Sequence, residues 1–293
     1  MSILAQSSQQ TYRRAWHLFS EFTSLFGMSA EGLIRLPVSV ADLSLFIAFL
    51  DEKGLAPSTI ATYTSAIGYQ HKLWGLQDPT SAFVIQKLLR TTRYDRESYD
   101  SRLPITVPLL IRLCGAASST VINQYQRLLF QCMMCVAFWG FLRVGEITVP
   151  GGTVIQLADL SFAMQEGNVF SAAEVVLRWY KHNRCGTPFR VVLPTSSIAS
   201  ICPVRVLLSY LQQRACQAGP LFTLEDGSPV KRTWFANQLH CAVCFCGLDQ
   251  ARYKSHSFRI GAATWAAANG WTDAQIRHKG RWRSDAFKKY IRL

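Results

Sequence analysis

The sequence predicts a mainly α-helical protein with one small β-sheet, divided into two domains. Three observations predict it. Through residues 1–90, apolar side chains recur at helical spacing between clear stop signals. A charged stretch with no apolar period comes next. Beyond it a long apolar helix leads into a few strand-like segments, after which the helical pattern returns. At 293 residues the chain is long enough for two cores, and an apolar content of 49% excludes wholesale disorder.

In the first domain Tyr12, Trp16, Phe19, Phe22 and Phe26 mark one helix, and Gly27 stops it. Ser39 is the expected cap of a second helix, with Leu43, Phe46, Phe49 and Leu50 on its apolar face and Gly54 after it. Ser58 is the expected cap of a third, which carries Ile60, Tyr63, Ile67 and Leu73 and stops at Gly75. Thr80 is the expected cap of a fourth, with Phe83, Val84, Lys87 and Leu88. Four short helices with short loops make a small bundle. Residues 90–102 hold Arg90, Arg93, Arg96 and Arg102 among Asp, Glu, Ser and Tyr, and read as an interdomain linker.

The second domain opens at Leu103, with Thr106 as a helix cap and Pro108 in the first turn. A long helix is expected over about 122–142. Strands are expected over Val154–Leu160, Glu174–Tyr180 and Phe189–Leu193, the last two joined by a hairpin loop that starts at Lys181. Further helices are expected over about 203–216, 233–246, 256–269, 272–279 and 284–292.

Charge is unevenly distributed. Residues 1–100 hold nine Lys/Arg and nine Asp/Glu, so the net charge of +13 lies wholly in residues 101–293. From Lys231 onward there are twelve basic residues and three acidic ones. A neutral front and a cationic back suit either a solvated basic surface or a polyanionic partner, most simply nucleic acid. Nine cysteines lie in mostly apolar segments and no signal-peptide pattern opens the chain. A reducing compartment is expected, the nucleus in a eukaryote and otherwise the cytoplasm or nucleoid. The longest apolar run, Cys132–Leu142, is too short for a bilayer, so no membrane association is expected.

Several constellations carry possible chemistry. Arg143 ends the most apolar helix and needs an anion. Glu146, three residues on, can hold it as a structural pair or orient it toward a phosphate. His256 and Arg259 share a helix face at i, i+3, followed by a run of small residues that permits close packing. His-x-x-Arg by itself is a weak signal. Lys181 on its hairpin is either solvated or able to deliver a proton. Trp282 has a ring N–H and Tyr290 a phenol, and each taken alone suits packing as well as chemistry. Cys132 with Cys135, and Cys241, Cys244 and Cys246 after His240, lie on apolar helices. Buried, inert thiols are expected there rather than a metal site. The sequence contains no Gly-rich nucleotide loop and no acidic cluster suited to two divalent metals.

Taken in this order, Arg143 with Glu146, Lys181, His256-x-x-Arg259, Trp282 and Tyr290 resemble the signature of the tyrosine recombinase (phage integrase-like) family. The wording of His256-Ser-Phe-Arg-Ile-Gly-Ala-Ala-Thr264 and Gly280-Arg-Trp-Arg-Ser-Asp-Ala-Phe-Lys-Lys-Tyr-Ile-Arg292 resembles recombinases of eukaryotic DIRS-like mobile elements. The likeness covers nearly the whole chain. Residues 1–90 resemble the core-binding, SAM-like domain, 91–102 a basic linker, and 103–293 the mixed α/β catalytic domain.

The resemblance implies that Tyr290 attacks a scissile phosphate, giving a 3′-phosphotyrosyl bond and a 5′-hydroxyl. Arg143 and Arg259 would clamp the non-bridging oxygens. Lys181 would protonate the leaving oxygen, and His256 would help take the phenolic proton. Trp282 would fill the position of the family's second His/Trp. A phenol with a pKa of about 10 is ionised in only about one molecule per thousand at neutral pH, a deficit of roughly 4 kcal/mol that cationic neighbours must offset.

The implied partners are duplex DNA, enclosed between the two domains, and copies of this chain in a tetramer on paired sites. No metal or other cofactor is implied. Arg90, Arg93, Arg96, Arg281, Arg283 and Lys288 are the expected phosphate contacts. The interval from Trp282 to Tyr290 is one residue shorter than in familiar members. With so little chain after Tyr290, surfaces other than a tail helix are expected to join the copies. Alternatives are a type IB topoisomerase, which shares the chemistry, a domesticated non-cleaving DNA-binding protein, and a zinc-dependent binding module.

Overall fold

The computed structural model describes every residue except 1–3, 5, 29–35, 95–99, 150–153, 166–168, 181–182, 184–185 and 293. The chain divides into two compact units, residues 1–100 and 101–293, each with its own apolar core.

The first unit is helical: α1 (Gln6–Leu25), α2 (Val40–Glu52), α3 (Pro57–Leu73) and α4 (Phe83–Tyr94). Ser39 caps α2 as expected, its side chain accepting from the Asp42 N–H. The caps of the next two helices differ from expectation. Ala56 precedes α3, with Pro57 in its first turn. Asp78 caps a 3₁₀ turn at Pro79–Ser81, and α4 starts two residues beyond it. Helix α4 runs to Tyr94, into the stretch read as linker from residue 91. The core is aromatic, with Phe19, Phe22 and Phe46 in mutual ring contact. Phe26 lies outside it, 62% exposed. His71 is a structural histidine that accepts from the Val38 N–H and bonds the Ile67 carbonyl.

The second unit is built on α6 (Gln124–Trp139), whose last eleven residues include only one, Gln131, that is not buried. Such all-round burial explains why its sequence is apolar on every face. Around it pack α5 (Val107–Thr120), α8 (Pro203–Gln213) and α10 (Ser257–Ala268), with α9 (Arg232–Phe245) against α5. The short α7 (Val144–Ile147) follows α6, and α11 (Asp273–Lys279) follows α10.

The sheet has three antiparallel strands in the order β1 (Leu160–Gln165), β2 (Val169–Leu177), β3 (Phe189–Pro194). Its inner face pairs Ala173 with Leu193 and Val175 with Val191, all fully buried. The strand expected at Val154–Leu160 is absent. There the buried Asp159 accepts from the Gln156 N–H and pairs with Arg178, which fixes a 3₁₀ turn, and the strand starts at Leu160. The terminal segment expected as a helix is a 3₁₀ turn, Asp285–Tyr290. Of the cysteines, Cys114, Cys132, Cys135 and Cys202 are buried. Cys241 and Cys244 are exposed, correcting the expectation that both groups are internal. They lie off the face of α9 that buries Phe235, Leu239, Ala242 and Val243.

Candidate active site

Two helix ends shape the site. Helices α6 and α11 both finish in a Schellman turn, with Gly140 and Gly280 at the C-cap and a bulky residue after each in the left-handed region. After α6, Phe141 has φ 51°, its N–H reaches the Phe138 carbonyl and the Leu142 N–H reaches Ala137. After α11, Arg281 has φ 56°, its N–H reaches His278 and the Trp282 N–H reaches Arg277. A non-glycine residue there costs roughly 1 kcal/mol or more. The turns lead into Arg143, two residues after Phe141, and Trp282, the residue after Arg281, which meet in one cluster.

Glu146 is the hub. Its Oε2 accepts the Arg143 backbone N–H and the Arg281 Nη2, each at 2.8 Å, and its Oε1 accepts Arg143 Nη1 at 3.2 Å. Arg143 keeps 22% of its side chain exposed, whereas Arg281 keeps 1%. Arg281 also donates to the Phe141 carbonyl at 3.1 Å. The expectation that Arg281 meets DNA is therefore corrected. It is an internal ion-pair partner of Glu146, because burial of that carboxylate demands a second cation.

Arg259 is fully buried. Its terminal nitrogens donate to the carbonyls of Phe141 and Gly280, and its guanidinium lies 4.1 Å from the centroid of the Trp282 ring. Burial, and after it the charges of Arg143 and Arg281, hold its pKa well below the usual guanidinium range. The two arginines of the sequence motif are thus near enough to repel each other. The structure brings Arg259 into the cluster but turns its terminal donors to backbone.

Tyr290 sits half-buried beside them. Its ring lies 5.0 Å from His256 and 5.0 Å from Trp282, centroid to centroid, and 5.9 Å from the Arg259 guanidinium. His256 occupies the N-cap position of α10, the helix that also carries Arg259 and Thr264. Trp282 Nε1 is buried with no hydrogen-bond partner among the described residues. Gly280 makes this packing possible, since a Cβ there would stand 1.5 Å from the indole.

Sequence reading missed two residues. Thr264 donates its hydroxyl to the Tyr290 carbonyl at 3.2 Å and accepts the Arg292 N–H at 3.0 Å, tying the terminal segment to α10. Its signal was spacing, because positions 256, 260 and 264 share one helix face. Lys279 donates to the Val192 carbonyl on β3, and burial, then the Arg281 charge, lower its pKa to about 8. Lys181 and Arg96 lie outside the described residues, as does the side chain of Arg93. Arg90 and Arg283 are exposed, and Lys288 is exposed beside Asp273 at 3.5 Å. Among the described residues no group of three or more His, Cys, Asp or Glu side chains could hold a metal ion, and no helix is long and apolar enough to cross a membrane.

No protein-family model matches the chain. An integrase/recombinase XerD homolog from Selenomonas ruminantium is 23% identical over 290 residues, spanning 94% of this chain and 79% of that protein. Among solved structures, the XerH site-specific recombinase bound to a palindromic difH substrate matches with TM-score 0.67 and 13% identity over 96% of this chain and 75% of that one. The Tn1549 transposon integrase in complex with circular intermediate DNA matches with TM-score 0.65 and 14% identity over 100% and 91%. The lambda integrase dimer bound to a COC′ core site matches with TM-score 0.64 and 14% identity over 99% and 72%. Along nearly its whole length the chain thus has the fold of these recombinases and integrases, and it is similar in sequence to the XerD homolog.

Proposed function

We propose that this protein is a site-specific recombinase of a mobile element, which cleaves and rejoins duplex DNA through a covalent bond between Tyr290 and a 3′-phosphate. One observation carries the reading: the Tyr290 ring lies 5.0 Å from both His256 and Trp282, centroid to centroid, and 5.9 Å from the Arg259 guanidinium. The similar proteins named above, site-specific recombinases and integrases in complex with DNA, support it.

In the reaction the Tyr290 oxygen forms a bond to phosphorus as the bond from phosphorus to the 5′-oxygen breaks. The phenolic proton passes to His256. Arg143, the most exposed of the three guanidiniums, takes one non-bridging oxygen, while the unpartnered Trp282 N–H takes another. Arg259, packed against the indole, contributes positive potential to the site. The departing oxygen takes a proton from Lys181. The phosphotyrosyl bond keeps the energy of the phosphodiester, so the reverse attack rejoins the strand without a nucleotide. Partners are duplex DNA and further copies of the chain on paired sites. The place of action is wherever that DNA lies, the nucleus in a eukaryote or the nucleoid in a bacterium.

The test is adduct trapping on a nicked substrate built from the termini of the element that encodes the protein. Wild type should form a covalent adduct and Tyr290→Phe none, with DNA affinity nearly equal. Persistence of the adduct in Tyr290→Phe would name another nucleophile. Supercoil relaxation without a second site would favour the topoisomerase reading.

A further inference from the structure

A cleft of about 160 Å³ opens beside Trp282. Tyr180, Phe189 and His278 form its aromatic wall. Phe189 and His278 lie 5.1 Å apart, and Tyr180 lies 6.0 Å from Phe189, all measured between ring centroids. Arg277 and Arg283 flank it, and Arg281 lies beneath, 5.7 Å from the Phe189 ring. Among the described residues no acidic side chain lines it, and Asp285 stands 3.7 Å from Arg277. The cleft is smaller than the pockets that enclose drug-sized ligands, and suits one planar ring system. Aromatic faces with flanking guanidiniums form a stacking platform for a base with its phosphate.

Position adds the second argument. Trp282 is a wall of the cleft and also touches Arg259 and Tyr290. A nucleotide whose phosphate meets Tyr290 therefore has the cleft within reach of its neighbouring base. Resting on the recombinase reading, we infer that the cleft takes one unstacked nucleobase flanking the scissile phosphate. Stacking on Phe189 and His278 would hold the base, and Arg277 and Arg283 would hold its outer phosphate. Holding the base apart would also separate the cleaved end from its complement, which strand exchange requires.

A double-mutant cycle tests this. One arm replaces His278, an exposed residue of α11, by Ala. The other replaces the base on either side of the scissile phosphate by an abasic site. The rate of adduct formation is read for all four combinations, and Phe189→Ala repeats the cycle from the other wall. At one of the two positions, losing the base should slow wild type about tenfold and should slow His278→Ala no further. Abasic substrates cleaved like intact DNA, or losses that multiply at both positions with both variants, would overturn the inference. Absence of any adduct with wild type on intact DNA would instead overturn the recombinase reading.

Discussion

Arg281 Nη2 lies 2.8 Å from Glu146 Oε2, and both side chains are sealed from water, at 1% and 6% exposure. The same carboxylate holds Arg143. The cation that remains accessible is thus aimed by an anion that a buried cation keeps in place.

Removing that anion leaves Arg281 buried without a countercharge. Glu146→Ala should cost about 3–5 kcal/mol of stability, as breaking buried pairs does. It should also abolish adduct formation, because Arg143 loses its orientation. Thermal melting and adduct yield measure the two effects. A variant that melts like wild type would deny the carboxylate its role as hub.

Thr264 acts on Tyr290 through the backbone. Thr264→Val keeps the shape and removes both hydrogen bonds, each worth about 0.5–1.5 kcal/mol. Adduct formation should fall about tenfold while DNA affinity stays constant, and Thr264→Ser should restore the rate. Equal behaviour of Val and Ser would remove the hydroxyl from the argument.

Helix α10 approaches the Ile105 backbone so closely that a Cβ at Gly261 would stand 1.9 Å from its carbonyl oxygen. Gly261→Ala gains about 1 kcal/mol in helix propensity. It loses more to overpacking against backbone that cannot yield, so a net cost of about 2 kcal/mol and a melting point lower by about 5 °C are expected. Calorimetry decides it, and a raised melting point would show that the helix can move away.

Lys279 gives the protein a pH signature. Its folded pKa of about 8 lies below its ordinary 10.5, so the unfolded chain binds more protons between those values. Below pH 8 the ammonium is charged in both states and its burial penalty is present in full. As pH rises from 8 to 10.5 the penalty is relieved and stability climbs, by up to about 3 kcal/mol. Denaturant melts at pH 7.5 and 10 should show the rise, and Lys279→Met should show less of it. Identical slopes in the two proteins would assign the rise to another group.

Much of this was legible in the sequence. Helical spacing and stop signals marked the helices of both units, because a 3.6-residue period leaves its trace in the chain itself. Order and spacing singled out Arg143, Glu146, His256, Arg259, Trp282 and Tyr290, although whether side chains so far apart would meet was a matter for the fold. Strand β1 went unread, although Leu160, Phe162 and Met164 alternate with the smaller or polar Ser161, Ala163 and Gln165 and Gly167-Asn168 is a turn signal.

Arg281 shows where the boundary falls. By itself the sequence determined that a basic run, Arg281-Trp-Arg283, follows a helix stop at Gly280. Which arginine turns inward was decided by tertiary structure alone. A Schellman turn with φ 56° points Arg281 at a carboxylate 135 positions earlier in the chain, while Arg283 stays exposed. Local sequence fixes periodicity and turns, but the partner of a buried charge is set by whichever long-range packing brings an opposite charge within reach.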